Sequence, residues 1–120
     1  MNKLGFGMMR LPITEEGNPK SVNHALVEAM VDCYIEKGFN YFDTAYPYHQ
    51  GMSEVAARKA LVERYPRERF LLADKMPTFL VTSAADYSRF FEEQRGRCGV
   101  EYFDYYMLHN LGVKNYASTL

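Results

Sequence analysis

Short apolar runs alternate along this chain with longer stretches in which apolar residues recur every three or four positions, and that alternation constrains the fold more than any other feature. Ser21 reads as an N-cap, and after it Val22, Ala25, Leu26, Ala29, Met30 and Cys33 form one helical stripe that Gly38 terminates. Phe39 to Thr44 is too short for a helix and reads as a strand, followed by a loop from Ala45 to Met52 that holds Pro47 and Gly51. A second helix is expected after Ser53, with Glu54 in its first turn, Ala57, Ala60 and Leu61 on one side, and an end before Pro66. Arg69 to Asp74 has the length and apolar content of a buried strand, and Pro77 lies beyond it. Ser83 and Asp86 have capping-box spacing for a third helix, whose stripe is Tyr87, Phe90, Phe91, Gln94 and Cys98 up to Gly99. Tyr102 to Leu108 is a further strand. Leu4 to Leu11 is a first one, with Gly5 and Gly7 spaced for a close approach of backbone.

The order is therefore β-α-β-α-β-α-β, an α/β pattern that implies parallel strands joined by right-handed helical crossovers. Two architectures satisfy it, an open doubly wound sheet and a barrel. The distribution of polar residues favours the barrel. In a parallel sheet every strand C-terminus lies on one edge, where barrels present their catalytic groups. Asp43 ends the second strand, Lys75 follows the third and His109 follows the fourth, so three ionisable groups converge on that edge, with Tyr48 in the loop beside them. Singly, each has an ordinary explanation: a turn aspartate, a solvated lysine, a hydrogen-bonded structural histidine. Three at the same end of successive strands form a coincidence that mutual pairing explains.

Charge and cysteine content exclude several other classes. A formal net charge of -1 over 120 residues, with acids and bases interspersed, leaves no basic stripe for a nucleic-acid backbone or an anionic membrane. Cys33 and Cys98 lack a CxxC or CxxH neighbour and read as buried free thiols, so no metal site is expected from them. The first ten residues lack a signal-peptide pattern, and no long uncharged apolar stretch is present, so a cytoplasmic, reduced protein is expected.

The segments Phe42-Asp43-Thr44-Ala45-Tyr46-Pro47-Tyr48, Asp74-Lys75-Met76 and Tyr106-Met107-Leu108-His109 resemble the signatures of the aldo/keto reductases. Gly5-Phe6-Gly7-Met8-Met9-Arg10-Leu11-Pro12 is similar to that family's first barrel strand, and Gly51-Met52-Ser53-Glu54 follows the tyrosine as it does there. The resemblance implies a TIM-type (β/α)8 barrel and a catalytic tetrad of Asp43, Tyr48, Lys75 and His109. It places Gly7, Met8 and Met9 on the nicotinamide side of the pocket, next to Asp43, and implies NADP(H) or NAD(H) as cofactor with a small carbonyl or alcohol as substrate. Tyr48 would be the proton donor, Lys75 the cation that favours its phenolate, Asp43 the anchor of Lys75, and His109 the group orienting the carbonyl. Tyr46 is expected to line the pocket and His49 to lie on the loop surface.

Two other readings compete. A reductase-like fold kept as a sensor or interaction subunit would need no turnover. A metal-dependent barrel hydrolase would use Asp43, His49 and His109 as ligands, although no HxH pair marks a strand end. A whole barrel takes ~250 residues, so the chain is expected to be its N-terminal half, with most of the cofactor site and the second half outside it. By itself such a half is expected to self-associate through unpaired strand edges and to be inactive.

Overall fold

A computed structural model describes residues 3–113. Four strands, β1 (Gly5–Gly7), β2 (Tyr41–Asp43), β3 (Leu71–Met76) and β4 (Tyr105–Leu108), alternate with helices α1 (His24–Glu36), α2 (Met52–Ala57) and α3 (Ala85–Cys98). A π-type turn over Arg58–Val62 prolongs α2. All strands are parallel and lie in the order β1-β2-β3-β4. A doubly wound sheet reverses its strand order and is covered on both sides. This sheet does neither, because one face carries the packed core and the other does not.

Strand alternation explains that asymmetry. Phe6, Phe42 and Leu72 point towards the helices, where Val27, Val31, Tyr34, Ala57, Ala60 and Leu61 complete a buried cluster. Phe42 sits at its centre, with ring centroids of Tyr34, Phe6 and Phe70 at 5.1, 5.4 and 6.4 Å. The alternate residues Tyr41, Asp43, Lys75, Tyr105 and Met107 point the other way, and the rings of Tyr41 and Tyr105 meet there at 5.8 Å. Tyr105 and Met107 remain substantially exposed on this face.

Several boundaries differ from those read in the sequence. The N-cap of α1 is Asn23, whose side chain accepts from Leu26 N–H, whereas Ser21 closes the preceding turn by donating to the Asn18 carbonyl at 2.7 Å. The buried stripe of α1 is Val27, Val31, Tyr34 and Ile35, while Leu26, Met30 and Cys33 are exposed, so only Cys98 is the buried thiol that had been expected of both cysteines. Tyr34 sets this rotation. Its hydroxyl accepts from Tyr41 N–H at 3.0 Å and donates to the Leu4 carbonyl at 2.5 Å, tying α1 to β1 and β2. The strand after α1 is confined to Tyr41–Asp43 and the first to Gly5–Gly7, each shorter than expected. In the other direction, β3 extends through Lys75 to Met76.

Ser53 lies inside α2, where its hydroxyl donates to the Met8 carbonyl at 2.8 Å and meets Thr44 Oγ1 at 2.7 Å. At α3 the capping-box acid does reach back: Asp86 Oδ2 accepts from the N–H groups of Thr82 (2.8 Å) and Ser83 (3.2 Å).

Phe42→Ala should lower unfolding free energy by about 3–5 kcal/mol, the scale of a buried aromatic truncated to alanine. Met30→Ala, on the exposed side of α1, should stay within ~0.5 kcal/mol. Urea unfolding of the two variants, followed by circular dichroism, checks that ordering.

Candidate active site

The C-terminal ends of the strands bring the expected residues together. Asp43 closes β2 opposite Ala73 of β3 and Gly7 of β1, and Lys75 lies two residues further along β3. Lys75 Nζ donates to Asp43 Oδ1 at 2.8 Å and to the Thr44 carbonyl at 2.9 Å. The ammonium stands 4.9 Å from the ring centroid of Tyr48, close enough for a cation–π contact. The imidazole of His109 meets the Tyr48 ring edge-on at 5.8 Å and the Phe79 ring at 5.7 Å. Asp43, Tyr48, Lys75 and His109 therefore form one continuous group, drawn from two strands and the segments that follow β2 and β4.

Burial and then the charge of Lys75 lower the pKa of His109 below the ordinary imidazole value, so the ring is neutral at pH 7. Its Nδ1 is buried without a hydrogen-bond partner among the described residues. Thr78 fastens the same residue by its backbone, donating to the His109 carbonyl at 2.6 Å.

Tyr48 is held by its neighbour. His49 Nε2 accepts from Leu11 N–H at 2.8 Å, which leaves Nδ1 as the protonated nitrogen donating to the Pro19 carbonyl at 2.8 Å. Both nitrogens are spent on backbone, so His49 is a half-buried clamp rather than a surface loop residue, and it has no lone pair for a metal. The ligand set that a barrel hydrolase would need is not formed. His49 and Gln50 adopt left-handed φ angles of 53° and 54°, a conformation that costs non-glycine residues roughly 1–2 kcal/mol each and is sustained here by those bonds.

Other expected residues are placed differently. Gly7 lies in register with Asp43, but the Met8 side chain is buried in the core and its backbone N–H reaches Asp43, donating to that carbonyl at 2.9 Å. Met9 is exposed. Tyr46 turns away to α3, where its hydroxyl donates to Glu93 at 3.0 Å and its ring stacks edge-on with Phe90.

Behind Lys75, on the helix side of β3, lies a polar cluster that sequence reasoning missed. Glu54, Asp74 and Cys98 are fully buried, with ligand atoms within 4.8 Å of one another. Arg97 Nη1 bonds Glu54 Oε1 at 3.1 Å, and Gln94 Nε2 donates to Glu54 Oε2 at 3.0 Å. Gly51 makes room for this: its φ is +96°, and a Cβ there would lie 3.0 Å from Arg97 Nη1. Burial, followed by the hydrogen bond to Glu54 and its negative charge, raises Asp74 well above the ordinary carboxylate range. A proton on Asp74 shared with the Glu54 carboxylate fits this pair. Cys98, pushed upward by the same burial, stays a thiol. The one available signal was Gln94, a polar residue within the apolar stripe of α3.

A cavity of about 210 Å³ under Arg67, bounded by Phe70, Val100 and Tyr102, lies at the opposite edge of the sheet. Its cation is already engaged, since Arg67 Nη2 bonds Asp104 at 2.7 Å.

Comparison with known proteins gives the family and the fold. The model of the aldo/keto reductase family matches residues 3–118, and the chain belongs to that family. It is 30% identical over 125 residues to a probable aldo-keto reductase 1 of Glycine max, covering 92% of this chain and 33% of that protein. An aldo-keto reductase of Klebsiella pneumoniae solved in complex with NADPH is 27% identical, with a TM-score of 0.69 over 90% of this chain and 35% of that one. A putative aldo-keto reductase of Pseudomonas aeruginosa, 21% identical, shares the fold at a TM-score of 0.70 over 91% of this chain and 43% of its own. The chain thus spans about a third of the length of the curated relative, and its fold is the first part of a TIM-type (β/α)8 barrel. Among the described residues no helix is long and apolar enough to cross a membrane.

Two measurements follow from the electrostatics. In NMR titration His109 should have a midpoint below that of a free imidazole, and Lys75→Met should move it only part of the way back, because burial is the larger cause. A raised carboxyl pKa contributes stability that is complete below the unfolded carboxylate pKa and is lost as pH rises through the folded value. Asp74→Asn keeps an acceptor for Lys75 N–H without titrating, so its urea midpoint should fall less than that of the wild type between mildly acidic and mildly alkaline pH.

Proposed function

We propose that this chain carries the proton-transfer half of an NAD(P)H-dependent carbonyl reductase, with Tyr48 as the acid. The observation that carries the reading is the Lys75 ammonium, bonded to Asp43 at 2.8 Å and lying 4.9 Å from the Tyr48 ring. A cation at that place stabilises the phenolate left when Tyr48 gives up its proton. Asp43 and the Thr44 carbonyl hold the ammonium in place through charge-assisted hydrogen bonds.

The space at the end of β1 suits a flat heteroaromatic ring. A Cβ added at Gly7 would meet nothing within 4 Å, and Gly7 is in register with Asp43. A nicotinamide bound there, with Gly7, Met8 and Met9 contributing backbone or exposed side chain, would supply the hydride. The protein supplies the rest. Neutral His109, packed between Tyr48 and Phe79, is placed to orient a carbonyl oxygen and to hydrogen-bond it as negative charge grows. The substrate is a small carbonyl compound or, in the reverse direction, an alcohol.

The chain contributes the N-terminal half of the barrel in this reading, and the groups gripping the remainder of the cofactor belong to residues outside these 120. In the complete barrel, Tyr48→Phe should lower turnover of aldehyde reduction roughly 10²-fold or more while cofactor affinity stays within a few-fold. Loss of reduced nicotinamide absorbance and a fluorescence titration of the cofactor measure the two. Undiminished turnover would move the acid elsewhere, and an absence of turnover in the wild type would favour a sensor or interaction subunit.

A further inference from the structure

The β2–β3 ladder stops one rung short at the site. Leu71 N–H donates to the Asn40 carbonyl at 2.8 Å and Thr44 N–H to the Ala73 carbonyl at 3.0 Å, so the next rung of a parallel pair would run from Lys75 N–H to the Thr44 carbonyl. That rung is absent. The Thr44 carbonyl takes Lys75 Nζ instead, at 2.9 Å. The peptide groups of Lys75 are consequently left to side chains from the helix face: Asp74 Oδ1 accepts its N–H at 2.8 Å, and Gln94 Nε2 donates to its carbonyl at 2.7 Å.

We infer that Asp74 and Gln94 are positioning residues for the Lys75 ammonium: Asp74 takes the Lys75 N–H that the Thr44 carbonyl would otherwise accept, which frees that carbonyl for Nζ, and Gln94 holds the adjoining Lys75 carbonyl so that the strand keeps this path. The inference rests on the reading of Lys75 as the cation serving Tyr48. Gln94 is suited to the task because its amide cannot turn. It is fully buried, its second N–H is held by Glu54, and Tyr106 donates its hydroxyl to Oε1. Glu54 is fixed in turn by Arg97 at 3.1 Å, and Asp74 is kept in place by its hydrogen bond to Glu54. A buried peptide group left unpaired is costly, so the Lys75 backbone would shift if either side chain let go: its N–H would return to the Thr44 carbonyl without Asp74, and its carbonyl would move towards another donor without Gln94. That shift would displace Nζ from its acceptor.

The test reads the Lys75 amine itself in the full chain. Brief labelling with acetic anhydride, quantified by peptide mass spectrometry, gives the acetylation rate of Lys75 relative to exposed Lys37. In Gln94→Met, which keeps length and removes the amide, the ratio should rise about tenfold, the population change that one lost hydrogen bond of about 1.4 kcal/mol produces. Val27→Ala, a core truncation on α1, should lower stability without moving the ratio. Tyr106→Phe removes only the hydroxyl that holds Gln94 Oε1 and should raise the ratio by a smaller factor, which keeps the test valid should Gln94→Met not fold. An unchanged ratio in every folded variant of Gln94 and Tyr106, or an equal rise in Val27→Ala, overturns the inference. Should the complete wild-type barrel reduce no carbonyl while the ratio still responds, the proposed activity fails and the positioning of Lys75 stands. A fall in turnover for Gln94→Met with no change in the ratio would leave the activity in place and refute the positioning.

Discussion

A carboxylate and an ammonium on neighbouring parallel strands can meet only if register sets their side chains on the same face within reach, and that constraint governs this site. Asp43 lies opposite Ala73, so Lys75 projects from the same face one pleat further along, and its long stem folds back to close the 2.8 Å bond. With side chains 14% and 29% exposed, the pair is neither a solvated surface contact nor a fully buried one. Its energetic contribution is correspondingly less than the about 3–5 kcal/mol lost when a fully buried pair is broken. Its larger effect is geometric. Short β2 ends where the carboxylate is needed, and the Thr44 carbonyl beyond it becomes a second ligand for Nζ.

The same alternation divides the polar residues of β3 between two environments. Lys75 faces the open side of the sheet and Asp74 faces the helices, so adjacent residues belong to different networks joined by one peptide. The helix-side network is costly in isolation, because two carboxyl groups are withdrawn from water. Arg97 offsets the charge of Glu54, burial and the neighbouring Glu54 favour the protonated form of Asp74, and Gln94 and Tyr106 bond further donors and acceptors. Across the sheet edge, His49 fixes the chain beside Tyr48 by bonding Leu11 and Pro19, so a segment of left-handed backbone is carried by a side chain.

How legible this was in the sequence varied with the physics involved. Asp43, Tyr48, Lys75 and His109 were legible because strand ends in a parallel sheet share an edge, and the order of elements followed from apolar spacing. The facing of α1 was not, because Val27, Val31, Tyr34 and Ile35 compete with Leu26, Met30 and Cys33 as an apolar stripe. Only tertiary bonds of the Tyr34 hydroxyl choose between them. Glu54 read as an acid in a helix's first turn, a correct local statement that carries no information about Arg97 forty-three residues away. His49 was read as loop surface for the same reason: its two backbone partners are thirty or more residues distant. Tyr46 and Tyr48 have similar local sequence, and what separates them is the presence of Glu93 and Phe90 on α3 beside the former.

The charge state of the site links its parts under the proposed chemistry. Lys75 and Asp43 cancel, and a second cation on His109 is opposed by burial and by the neighbouring ammonium. The resting group is therefore close to neutral, with one phenol, one ion pair and one neutral imidazole. Hydride addition to a carbonyl places negative charge on oxygen, and proton transfer from Tyr48 moves that charge to the phenolate. Only the second location lies against the ammonium. An imidazole that is neutral beforehand donates a hydrogen bond to the nascent oxyanion without competing with Tyr48 as the proton source. A protonated His109 would be the stronger acid and would take that role itself. In the proposed chemistry a lowered imidazole pKa leaves the proton to Tyr48; burial supplies the larger part of that lowering, and the ammonium that stabilises the phenolate supplies the next.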